Sequence, residues 1–288
     1  MKRNVAIVTA SLLCVSLLSG CGTKKDEDVK VTPKIVKAQS VQEQSLVDGL
    51  TYIGVVKAKD TKNYSFLMSG MDIDDLKLFD NVCTPLVVLD NEYDDMLYDY
   101  VAINNSDGSY AITKLLIDNG HKNIGLINSS FQSQCFYRIN LRVRKMGYRN
   151  ALDDYNLPFR PENEILVDPS PEGSYRDTAT YLKAFLNELS LDELPTAFYA
   201  VNDNIAIGAV RAFQELNIDI SICGFDDLPI SKLFNPPLTT VQVDKKQLGK
   251  IAVSRLINKI NGDISHLKIL VATKIVERDS VKKTWFNH

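Results

Sequence analysis

The sequence predicts an α/β protein built on mainly parallel sheets, and three observations lead there. From about Met71 onward, short apolar runs alternate with helical patterns, the arrangement of repeated βα units. Two of those runs, Ala197–Ala200 and Ile220–Phe225, lead into Asn202-Asp203 and Asp226-Asp227. Ligands of open α/β sheets bind at the carboxyl ends of the strands, so polar groups placed there face a crevice rather than the core. Finally, 45% of the 288 residues are hydrophobic and 24% charged, enough apolar material for a sizeable globular core and too much for a disordered chain. A formal net charge of -3 supplies no general attraction to nucleic acid.

The elements follow in chain order. Lys2 and Arg3 precede the apolar run Val5–Leu18, which is short for a bilayer span and exits through Leu18-Ser19-Gly20-Cys21. A basic head, an apolar middle and a small-residue exit describe a secretory signal peptide. The exit looks like a bacterial lipobox, which implies cleavage before Cys21, a lipid on its thiol and attachment to a membrane outside the cytoplasm. The competing reading is an uncleaved N-terminal helix. Residues 22–48 are polar and lysine-rich, a tether. Residues 49–70 alternate around Tyr52, Val55 and Val56, then Tyr64, Phe66 and Met68, as two strands joined by a polar turn do. Strands are expected near Pro85–Leu89, Ile124–Ile127, Ile165–Val167, Ala197–Ala200, Ile220–Cys223, Thr239–Val243 and Ile269–Ala272. Helices are expected from near Ser109 to the glycine stop at Asn119-Gly120, then at Ile139–Tyr155, Tyr175–Leu189, Asn204–Leu216 and Lys246–Ile260. Beyond Cys14 and Cys21, the cysteines Cys83, Cys135 and Cys223 are widely spaced with no CxxC. Neither a disulfide framework nor a zinc site is indicated, and Cys223 reads as a core residue.

With that order in place, residues 71–288 resemble the effector-binding half of LacI-family transcriptional regulators. The resemblance is carried by TPLVVLDN (84–91), AINNSDG (102–108), LLIDNGHKNIGLI (115–127), RKMGYRNAL (144–152), PTAFYAVNDNIAIGA (195–209), CGFDD (223–227), PPLTTVQVD (236–244) and ERDS (277–280). It implies a periplasmic-binding-protein-like fold of two lobes: residues 71–103 with 241–273, and residues 104–240 with 274–288. It also implies a small-molecule ligand, a sugar or nucleobase, held between lobes that close about crossings near Ile103, Thr240 and Lys274. Homodimerisation and a DNA-binding head belong to the family as well. Residues 22–70 show no helix-turn-helix pattern, so DNA binding is not supported by the residues themselves.

Carried over position by position, the resemblance implies ligand contacts for Asp90, Arg144, Asn202 and Asp226. Carboxylates and an amide share hydroxyl protons and the guanidinium offers a fixed fork of donors, which suits a sugar. Each has a plainer reading. Asp90 could be a solvated turn, and Arg144 could belong to a basic face with Arg138, Arg142, Lys145 and Arg149. Asn202 could cap the next helix. Asp226 is favoured because Asp227 is available for a structural task. Val243 stands where the family often has glutamine, and Gln242 points to the opposite face of a strand. Phe136, Tyr137 and Phe225 could stack on a ring, though core packing is the simpler use of each.

The resemblance starts late, so the first lobe is expected to be incomplete, without its central strands and with strand edges unpaired. Residues 1–70 resemble instead the start of an efflux membrane fusion (periplasmic adaptor) protein, which places a join near Ser65–Met71. Two functions then compete: a non-enzymatic carbohydrate-binding module, and a membrane-tethered adaptor fragment. An enzyme is set aside, because GxSxG, HExxH and GxxxxGK[ST] are absent and His121, His266 and His288 are far apart. The acidic runs Asp72–Asp75 and Asp90–Asp95 lack the glycine and closing glutamate of a calcium loop. No cofactor and no metal are expected.

Overall fold

The computed structural model describes residues 53–57, 64–69, 85–90, 98–130 and 135–284, the first two stretches and residues 135–138 by backbone alone. The signal sequence, Cys21, the tether, the acidic run Asp72–Asp75, and the side chains of Phe136 and Tyr137 lie outside the described residues.

Two sheets organise the chain. The first contains β1 (Ile53–Lys57), β2 (Tyr64–Ser69), β3 (Leu86–Leu89), β4 (Asp99–Ile103) and β10 (Lys268–Val271), in the order β1-β2-β3-β4-β10. The second contains β5 (Ile124–Ser129), β6 (Glu164–Val167), β7 (Ala197–Ala200), β8 (Ser221–Asp226), β9 (Thr239–Gln242) and β11 (Lys274–Val276), in the order β11-β9-β8-β7-β5-β6. Within each sheet every pairing is parallel except one, β1 with β2 and β11 with β9.

Among the described residues, five α-helices connect them: α1 (Asn105–Asp118), α2 (Cys135–Asp154), α3 (Pro171–Glu188), α4 (Asp203–Glu215) and α5 (Lys245–Ile260). The strands β5 and β7 are buried at every position, which requires cover on both sheet faces. The pairs α1–α2 and α3–α4 pack against each other and onto this sheet. Gly147 makes the first crossing possible, since a Cβ there would overlap the Ser106 carbonyl oxygen. α5 lies on β2, β3 and β4 of the first sheet. The chain passes between sheets after β4, after β9 and after β10.

The first sheet corrects one expectation. Its edge at β3 is not left unpaired: β2 runs parallel to it, from Phe66 beside Leu86 to Ser69 beside Leu89, and β1 completes an antiparallel hairpin. The alternating residues that looked like a separate segment are strands of this sheet, and the expected join near Ser65–Met71 begins inside β2. The physical reason is that a parallel strand with open donors and acceptors on one side is an incomplete structure, and the hairpin satisfies it.

The first lobe also holds a buried ion centre. Asp99, fully buried on β4, accepts from Arg255 Nε of α5 and lies 3.4 Å from Lys259 Nζ. The Leu267 amide donates to Asp99 at 3.0 Å, and Arg255 reaches on to Asp263 and to Ser265 O at 2.5 Å. Helix, strand and the turn into β10 are thereby fastened together.

Candidate functional site

The carboxyl ends of β3, β4, β7 and β8 bring together the residues expected at a ligand crevice. Asp90 follows β3, Asn104 and Asn105 follow β4, Val201 and Asn202 follow β7, and Asp226 ends β8. Arg144 enters from α2. Such convergence is what the crevice rule for parallel sheets requires.

Arg144 is at the centre and only 7% exposed, so the reading as a solvated basic face does not hold for this arginine. Its Nε donates to Asn105 Oδ1 at 2.8 Å and its Nη1 to the Val201 carbonyl at 2.6 Å. Nη2 meets Asp226 Oδ1 at 3.3 Å. The guanidinium carbon lies 3.7 Å from the centroid of the Phe225 ring, a cation–π contact. Phe225 is fully buried, so it serves as the platform for Arg144, the packing role expected of it.

Asp226 keeps a quarter of its side chain in solvent, 26%, and only Oδ1 bonds a described residue. Its backbone has φ 110°, a region that L residues rarely adopt and that tends to occur where structure overrides local preference. The next residue, Asp227, also has a positive φ, 48°. Its carboxylate accepts from Arg278 Nη2 at 2.6 Å and Gln242 Nε2 at 2.8 Å. Two adjacent aspartates thus face different partners, and Asp227 takes the structural one. Gln242 is exposed and occupied by Asp227, while Val243 is buried.

Asn202 caps α4, accepting from the Ile205 amide at 2.8 Å. Next to it Asp203 is fully buried. It accepts from the Leu228 amide at 2.8 Å, Ser231 Oγ at 2.6 Å and Thr240 Oγ1 at 2.5 Å. Burial nevertheless pushes its carboxyl up to about 6, because the apolar surroundings disfavour the charged form more than three hydrogen bonds favour it. Asp203 fixes the loop after Asp227 to the strand β9. Gly224 faces it at a distance that would not admit a Cβ.

Asp90 has φ 63°. Its amide donates to Val101 O at 2.9 Å and its carbonyl accepts from Asn140 Nδ2 of α2 at 2.8 Å. Asn140 Oδ1 lies 3.4 Å from Asn105 Nδ2, so a polar path runs from Asp90 through Asn140 and Asn105 to Arg144 and Asp226. Asn105 and Asn140 were not anticipated from sequence. Asn105 stood before the expected start of its helix near Ser109, and Asn140 stood four residues before Arg144, the spacing that shares a helix face.

His121 has a structural role. It bridges Thr196 Oγ1 at 2.9 Å and the Lys282 carbonyl at 3.0 Å, clamping the C-terminal segment, and burial lowers its pKa. A hollow of about 250 Å³ lies at the amino end of β8, lined by Val210, Phe213, Ile218, Ile222 and Pro236 among others. It includes none of the four candidate residues. Among the described residues no group of three or more His, Cys, Asp or Glu is arranged to hold a metal ion. None of their helices is long and apolar enough to cross a membrane.

A family model described as a periplasmic binding protein-like domain matches residues 113–281. The chain belongs to that family. A relative called HTH-type transcriptional repressor PurR, from Actinobacillus pleuropneumoniae serotype 3 (strain JL03), is 34% identical over 194 residues, 66% of this chain and 54% of that protein. The repressor of the same name from Histophilus somni (strain 2336) is 32% identical over 246 residues, 82% of this chain and 65% of that protein. That share exceeds what residues 71–288 make up, so the match takes in residues before Met71, in keeping with β1 and β2 belonging to the first sheet. The chain spans between about half and two thirds of the length of these two relatives. The solved structure of a LacI family transcriptional regulator from Enterococcus faecium with bound ribose has a TM-score of 0.63 at 24% identity, covering 74% of this chain and 77% of that one. The fold is therefore the α/β periplasmic-binding-protein-like one.

Proposed function

We propose that the chain is a non-enzymatic sensing module for a small polyhydroxylated ligand, a carbohydrate, held in the crevice by Asp90, Arg144, Asn202 and Asp226. The observation that carries this reading is the Arg144–Asp226 pair. The arginine is buried, stacked on Phe225 and held by two further hydrogen bonds, whereas the aspartate side chain is a quarter exposed and keeps one oxygen without a partner among the described residues. A positioned carboxylate beside a guanidinium can accept one sugar hydroxyl while the neighbouring N–H groups orient the next. The ribose in the Enterococcus faecium regulator supports the ligand class. Ligand would bias the two lobes toward closure about the crossings after β4, β9 and β10. A link from closure to transcription rests on the names of the relatives, and the domain division at residues 71–103 with 241–273 and 104–240 with 274–288 is part of the same proposal.

The test is isothermal titration of the folded full chain against a panel of pentoses, hexoses and nucleobases, beginning with D-ribose. Heat with a sugar that disappears in Asp226→Ala at unchanged melting temperature is the expected result. A folded sample that responds only to nucleobases would overturn the carbohydrate assignment. Equal affinity in the mutant would remove Asp226 from the site.

For the N-terminus, we propose export and lipidation at Cys21, on the motif Leu18-Ser19-Gly20-Cys21. Radiolabelled palmitate should enter the wild-type chain and not Cys21→Ser; a chain that stays unlabelled in a lipoprotein-processing bacterial host decides for an unanchored sensor. The adaptor reading receives no support from residues 53–57 and 64–69, which are built into the first sheet.

A further inference from the structure

We propose that Asn140 is a positioning residue that holds Asp90, on the first sheet, in register with the Arg144–Asp226 pair on the second; this rests on the crevice being the ligand site. Asn140 and Arg144 are one helical turn apart on α2 and so share a face. The Asn105 amide sits between them, its Nδ2 3.4 Å from Asn140 Oδ1 and its Oδ1 accepting from Arg144 Nε at 2.8 Å. Beyond that pair, Asn140 Nδ2 reaches the Asp90 carbonyl at 2.8 Å. One amide therefore ties the carboxyl end of β3 to the helix that carries Arg144.

The bond goes to the main chain of Asp90, not to its carboxylate. It fixes where Asp90 stands without consuming the group that a ligand would use. The left-handed backbone at Asp90, φ 63°, is a conformation in which a non-glycine residue needs support from its surroundings, and Asn140 supplies part of it. The arrangement also needs an amide in particular: a donor on one side, toward Asp90, and an acceptor on the other, toward Asn105. Aspartate keeps the acceptor and loses the donor. Alanine loses both.

Removing such a bond weakens the ligand-free approach of the two lobes by a single-hydrogen-bond increment, about a five-fold rise in the separated population. Spin labels at Lys183→Cys on α3 and Lys250→Cys on α5, both exposed, report that separation by pulsed dipolar spectroscopy in the full chain with Cys14, Cys21, Cys83 and Cys135 replaced by serine and Cys223 buried. Asn140→Ala and Asn140→Asp should both add a longer-distance population absent from the wild type. Superimposable distance distributions would overturn the proposal. So would opening in Asn140→Ala alone, because the aspartate variant preserves side-chain volume while replacing the donor by a charged acceptor, and that result would assign the effect to packing. This readout needs no ligand. A D-ribose titration of the same samples separates the two ideas: a wild type that ignores every sugar damages the carbohydrate reading, whereas the distances still decide the role of Asn140.

Discussion

Two arginine–aspartate centres, one in each lobe, use the same residue types for different ends. In the first lobe, Arg255 and Asp99 are 3% and 0% exposed, and the donors of the arginine run to Asp99, Asp263 and Ser265. In the crevice, Arg144 is as deeply placed, but its aspartate is a quarter exposed and meets it at 3.3 Å through a single oxygen. A saturated centre can only hold elements together. A centre with an oxygen to spare, its arginine already anchored by Asn105, Val201 and Phe225, can accept a guest without rebuilding itself. Spare hydrogen-bonding capacity, more than charge or burial, separates a fastening from a binding site.

The contrast can be broken most forcefully at the fastening. Arg255→Met leaves Asp99 charged and buried, which should lower stability by about 3–5 kcal/mol, measured by urea denaturation; a change within 1 kcal/mol would mean the centre is not a fastening. At the crevice, Asp226→Asn should weaken sugar binding by about ten- to a hundred-fold, the loss of one hydrogen bond to a charged group, while thermal unfolding shifts far less than for Arg255→Met. A large drop in stability with intact binding would reverse the assignment of the two centres.

Asp203 sharpens the comparison as a buried carboxylate with hydrogen bonds but no cationic partner. Its folded pKa of about 6 lies above the ordinary 3.8. Between those values the folded protein retains a proton that the unfolded chain has released, so this group's contribution falls as pH rises from about 4 to 6. The loss is about 3 kcal/mol. Asp203→Asn should flatten that part of the stability–pH curve, and a slope identical to wild type would reject the raised pKa. The smallest effect belongs to Thr178, whose buried hydroxyl has no hydrogen-bond partner among the described residues. Thr178→Val should raise stability by up to about 1 kcal/mol, seen as a modest rise in melting temperature.

Much of this was legible in the residues. β7 starts and stops where its apolar run does, and α4 and α5 begin within a residue of expectation, because runs flanked by caps leave little choice of boundary. Helix α1 starts four residues earlier than expected, for the polar stretch Asn104–Asp107 is its cap and first turn, with Asn104 Oδ1 accepting from the Asp107 amide at 3.1 Å. Likewise Ser170 and Pro171 open α3 before its apolar stripe begins. β4 was missed, since its apolar core follows a dense acidic stretch and its first residue, Asp99, is a buried charge whose partner Arg255 lies far along the chain. The same limit hid Asn105 and Asn140: their importance comes from what folding sets across from them. Asp226 was favoured over Asp227 from the residues, but their separate partners, Arg144 for one and Arg278 with Gln242 for the other, came only with the fold.

The three passages of the chain between the sheets have a mechanical consequence. A lobe joined by one peptide could swivel, slide or drift, and a ligand would have to remove all of that freedom at once. With three covalent connections, after Ile103, Gln242 and Val271, rotation and sliding would strain at least two of them. The relative motion that remains cheap is a hinged swing, so most of the entropy of bringing the crevice walls together was lost when the protein folded, and a small molecule need supply only what is left.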